Sequence, residues 1–196
     1  MRTSRDRDTA EVTRSSWLAD TVRAFTALRG THVRSWTGVE MALREETPDG
    51  PQFEDPDVPC LQLLSLHAEL DSTTTYFATH QDDDVWGLWL PSPTDAQRQD
   101  AERNDWHGIY RARPLAELPT GRVDQVALVT DEQVVAEVLL HIDGRPLLLL
   151  AGELYETAGD TLRYHRLDES VLAFTDPGAA GELNWTPPRQ PPSDGC

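Results

Sequence analysis

The chain has 196 residues, with 17 arginines, no lysine, 34 acidic residues and a net charge of −17. That length can bury one continuous core without disulfides or metal. So acidic a surface disfavours nucleic acid, whose affinity rests on cations displacing counterions. It disfavours an anionic membrane surface for the same reason. The protein-partner class it suits is a basic one.

Charge is uneven along the chain: residues 1–35 carry +3 and the remainder −20. Residues 1–14, including the charged opening MRTSRDRD, read as a flexible N-terminus, and no signal-like apolar block follows them. No apolar run approaches the ~20 residues that span a bilayer. Two cysteines, Cys60 and Cys196, stand far apart in sequence, the second on a proline-rich end. The expectation is a reduced, cytoplasmic protein with no cofactor.

Leu18, Thr21, Val22, Phe25 and Leu28 recur at helical spacing. Ser15 or Ser16 can cap the start of that helix and Gly30 can stop it. In VEMALRE the period changes to two, with Val39, Met41 and Leu43 on one face and Glu40, Ala42 and Arg44 on the other. This predicts a strand buried on one side. An acidic, turn-rich loop covers 45–59. Strands are then predicted over 60–69, 73–80 and 85–91, separated by short turns as in an antiparallel meander.

Residues 92–121 interrupt this pattern. A short exposed helix is predicted in SPTDAQRQDAERND, and WHGIYRARPLAELP reads as an irregular connection. Strands resume at 124–130, 134–142, 146–156, 161–166 and 171–175. In DPGAAGEL, Asp176 is a helix N-cap and Pro177 the first helical residue. Residues 187–196, PPRQPPSDGC, read as a disordered tail.

The two strand-rich regions, 31–91 and 122–185, resemble each other at an offset of about 85 residues. LQLLSLHAEL lies over PLLLLAGELYE, and TYFATHQDDDVWGLWLP over LRYHRLDESVLAFTDP. The expected architecture is therefore α+β and mostly antiparallel. It is a single domain over 15–186 with two similar β-meander halves linked by 92–121. The N-terminal helix packs on the sheet.

The sequence contains no phosphate loop, dinucleotide fingerprint, zinc-protease pair or nucleophile elbow. Three weaker constellations remain. His80 with Asp82, Asp83 and Asp84 offers oxygen and imidazole ligands for a divalent cation, without the spacing of a calcium loop. Glu153, His165, Asp168 and Glu169 offer acid–base groups around two strands, with Ser170 adjacent. Trp106, His107, Tyr110, Arg111 and Arg113 form a basic-aromatic patch suited to a partner or ligand. Solvated turns and structural pairing are the commoner uses of such residues. The favoured expectation is a non-enzymatic protein that binds or regulates a partner through an acidic or aromatic surface. The alternative is a small enzyme or ligand or metal binder, with a His/carboxylate site between the halves.

Overall fold

The computed structural model describes residues 16–95, 108–131, 133–157 and 161–189. The chain is α+β, dominated by one ten-stranded sheet that is antiparallel except at its last pairing. Among the described residues, no helix is long and apolar enough to cross a membrane.

A helix, α1, occupies 16–26, and Gly30 follows its last turn at φ 87°, a backbone state open to glycine. Phe25 and Leu28 belong to the main core, where Phe25 meets Phe77 at 6.2 Å between ring centroids. The first four strands are β1 (His32–Met41), β2 (Leu61–Leu70), β3 (Thr74–Asp82) and β4 (Val85–Trp89), each paired with the next. After β5 (Tyr110–Pro114) come β6 (Gly121–Asp131), β7 (Val134–Ile142), β8 (Arg145–Thr157) and β9 (Thr161–Phe174), again paired in succession. A short helix α2 (Pro177–Glu182) and β10 (Trp185–Thr186) end the described chain.

Three further pairings close the sheet on itself: β1 with β6, β2 with β9, and β4 with β7. Exchanging β1 with β6, β2 with β7, β3 with β8 and β4 with β9 leaves all these pairings unchanged. The correspondence read from sequence instead lays β2 over β8, and β3 and β4 together over β9. It does not follow that exchange.

The Leu147–Leu150 run has a simple explanation. Leu147 and Leu149 point into the main core with Trp36, Phe77 and Val138, whereas Leu148 and Leu150 join a second core with Phe174, Ala180 and Trp185. A strand covered on both faces loses the alternation of a half-exposed one. Below that second core, α2 begins as expected, with Asp176 accepting from the Gly178 amide at 2.9 Å and Pro177 in the first turn. Asp176→Ala should cost about 1 kcal/mol, read as a lower midpoint in urea at an unchanged slope.

Several expectations need correcting. WHGIYRARPLAELP is not wholly irregular, since β5 pairs with β1 from Thr37↔Pro114 to Met41↔Tyr110. Nor is β1 one-sided. Glu40 is only 2% exposed and receives Arg111 Nε at 2.5 Å and Arg113 Nη2 at 2.8 Å. A buried carboxylate demands such partners, and a neighbouring strand supplies both. The strands expected at 161–166 and 171–175 form one element. In it Arg166 lies opposite Gly152 and Val171 opposite Ala151, so 167–170 bulge out without partners on β8. Leu167 takes φ 58° there, and a bulge redirects side chains in this way.

The proline-rich end is held further than its composition suggests. Arg189 donates two hydrogen bonds to Glu137, at 2.8 and 2.6 Å, and the Pro188 carbonyl accepts from Arg166 at 3.0 Å. Residues 187–189 thus form a strap over β7, while 190–196 lie outside the described residues.

Candidate functional site

A cavity of about 370 Å³ opens between the β1–β2 connection and the far end of β8. Its wall includes Met41, Leu43, Glu45 and Glu46 on one side and Glu153 and Glu156 on the other. The first group comes from the expected first half of the chain and the second from the other. β8 reaches the cavity because Gln62 of β2 ties the two together: its Oε1 accepts from the Leu154 amide at 2.7 Å.

Glu153 is the unusual group on this wall. It is 8% exposed, and among the described residues its Oε2 has no hydrogen-bond partner. Burial pushes its carboxyl up to about 8, reinforced by the negative charges of Glu169 and Asp168. The neighbouring Tyr155 hydroxyl works the other way, and Glu45 adds to the rise. At neutral pH this side chain is therefore mainly a neutral acid that can give up a proton.

His165 stands directly opposite Glu153 in the β8–β9 register. The two strands approach closely there: a Cβ on Gly152 would lie 2.4 Å from the His165 carbonyl oxygen. The His165 ring packs edge-on against Tyr155 at 4.9 Å, and the Tyr155 hydroxyl donates to Asp168 at 3.2 Å. Burial, then Glu153 and Asp168, push the Tyr155 hydroxyl upward, so it remains a donor. Glu169 is held through its backbone, whose carbonyl accepts from the Thr79 hydroxyl. His165, Asp168 and Glu169 thus back Glu153 without lining the cavity. Ser170 is fully buried, with its hydroxyl directed to Met41 Sδ at 3.9 Å.

The other constellations lie elsewhere. His80 sits between Trp17 and Trp89, at 5.1 and 5.3 Å between centroids. Asp83 takes φ 53° in the tight turn joining β3 to β4, beside Asp82 and Asp84. Among the described residues no three His, Cys, Asp or Glu side chains are grouped to hold a metal ion. In the basic-aromatic patch, Trp106 and His107 lie outside the described residues. Arg111 bridges Glu40 and Glu54 and stacks on Phe53 at 4.6 Å, Arg113 bridges Glu40 and Glu117, and Tyr110 opens β5.

Sequence reasoning picked out Glu153 and His165. It missed Glu45 and Glu46, which read as part of a solvated acidic loop. The signal that could have found them is the apolar alternation running up to Leu43, which carries the chain against the sheet just before the two acids. The chain matches no family model, no curated protein and no solved structure.

Proposed function

We propose that this protein binds a small molecule in the cavity between the β1–β2 connection and β8, with Glu153 as the group that engages it. The observation that carries this reading is Glu153 itself. A carboxyl buried without a partner destabilises the fold. A glutamine or leucine would fill the same space at lower cost, and the acid lies on the wall of a cavity large enough for a ligand. Functional sites are where such costs concentrate. The site draws on both strand-rich regions. The exchange symmetry of their pairings supports two related units only under a strand correspondence other than the one read from sequence, and the half-buried free thiol of Cys60 suits a reducing cytoplasm.

A fragment screen by amide chemical-shift mapping on the full chain tests the proposal. Hits should move the amides of Met41–Leu43 and Glu153–Glu156 together. A chemically mixed library that moves neither group would overturn it.

A second reading rests on Tyr155. It is the exposed large apolar side chain among the described residues, at 41%, and it is flanked by Glu156 and Asp168. An aromatic anchor in an acidic surround suits a basic protein partner. Capture from the source cells would return such a partner in stoichiometric amount, released by salt and lost in Tyr155→Ala. Recovery of the protein alone would remove this reading.

A further inference from the structure

We propose that the ligand of the Glu153 cavity is a small organic cation, with a primary ammonium or guanidinium head on a short apolar body. This inference rests on the cavity being a ligand site and names the chemistry of what enters it.

The wall carries the carboxylates of Glu45, Glu46 and Glu156 and the protonated carboxyl of Glu153, and no Arg, Lys or His among the described residues. Arg44 pairs with Glu156 at 3.3 Å, which leaves Glu45 and Glu46 as uncompensated charges on the wall among the described residues, beside the neutral Glu153. An anion entering there meets the like charges of Glu45 and Glu46. A neutral ligand leaves the repulsion between the carboxylates in place. A cation removes that repulsion and supplies the N–H donor that Glu153 Oε2 lacks.

The choice between a metal and an organic cation follows from shape. The acids are spread around the wall, and no three of the described ligand-type side chains are grouped as a metal site. A volume of about 370 Å³ exceeds what a bare ion fills. Met41, Leu43 and Leu154 give the wall an apolar part that holds a short hydrocarbon or ring. Oε2 is covered from solvent, so contact with the head group requires the Glu153 carboxyl to rotate toward the cavity on binding.

Binding then has a proton signature. The groups facing Glu153 are Tyr155 and Glu156 on β8, His165, Asp168 and Glu169 on β9, and Glu45 and Glu46 on the β1–β2 connection. The carboxyl holds its proton at pH 7 first because it is buried and second because the nearby charges of Glu169 and Asp168 are negative. A cation arriving beside it favours the ionised form, and the proton leaves to the buffer.

The test is calorimetry on the full chain with n-butylamine, n-butylguanidine, n-butanol and butyrate, at pH 7 in two buffers of different ionisation enthalpy. The amine and the guanidine should bind with release of close to one proton, and the alcohol and acid should not bind. Glu153→Gln should weaken binding about tenfold, equivalent to about 1.4 kcal/mol, and abolish the proton release. Glu45→Gln with Glu46→Gln, both exposed and safe for folding, should weaken binding without abolishing that release. If butanol or butyrate binds at the cavity as tightly as butylamine, the cationic class is overturned while the ligand site stands. The same holds if E153Q binds amines as well as the parent does. If no probe binds although the fragment screen finds the cavity, only the cation inference fails; blanks in both remove the site as well.

Discussion

Glu153→Gln is expected to stabilise the protein at pH 9 and to leave it nearly unchanged at pH 4. The carboxyl is pushed up to about 8 in the fold from an ordinary value of 4.5. Below 4.5 it is protonated in folded and unfolded chains alike, and glutamine is a near-isosteric replacement. Between 4.5 and 8 the unfolded chain loses this proton while the folded chain keeps it. The folded state then binds more protons, so stability falls as pH rises through that window. Above 8 the full penalty remains, at about 1.4 kcal/mol per unit or roughly 3–5 kcal/mol in all. Urea denaturation at pH 4, 6 and 9 measures the gap between parent and variant, which should open across that range. A constant gap would place the Glu153 carboxylate in a solvated or paired environment.

The second large effect lies at the strap. Arg189→Ala removes both donors from Glu137, which is 2% exposed on a central strand. Breaking a buried ion pair from one side costs about 3–5 kcal/mol, because the remaining charge has neither water nor a partner. Arg189→Lys should recover only part of the loss, since one ammonium cannot reproduce the two-pronged contact. Denaturant midpoints measure both. A loss below about 0.5 kcal/mol for Arg189→Ala, as at a surface pair, would show that the strap does not hold the end of the chain.

How much of this was visible in the residues depends on sequence distance. The β7 strand was predicted at its observed bounds because VVAEVLLHI is a continuous apolar, β-branched stretch. The Asp176–Pro177 start of α2 was equally plain, since a cap is a local device. β5 was missed because its support is remote: Glu40 and Arg111 are 71 residues apart. The Glu137–Arg189 pair spans 52 residues and had no local signature. DES at 168–170 looked like a turn because its composition is that of one; only the register of β8 shows that it is a bulge within a strand. At the site, Glu153 and His165 were named from sequence as candidates, but only the β8–β9 register sets them opposite each other. The cavity itself was not named, because its other wall comes from residues 41–46, more than a hundred positions earlier.

Closure of the sheet bears on how the protein behaves when concentrated. An open sheet of ten strands offers two long rows of unpaired backbone groups, on which further copies can add and grow into aggregates. Here the strands that end the pairing order are β5, of five residues, and β10, of two. Pro114 closes β5, Pro187 follows β10 at once, and Arg111 and Arg113 add charge along the first. Proline has no amide hydrogen to give an incoming strand. A protein this rich in β-structure should therefore stay dispersed at concentrations where an open sheet of the same size would self-associate.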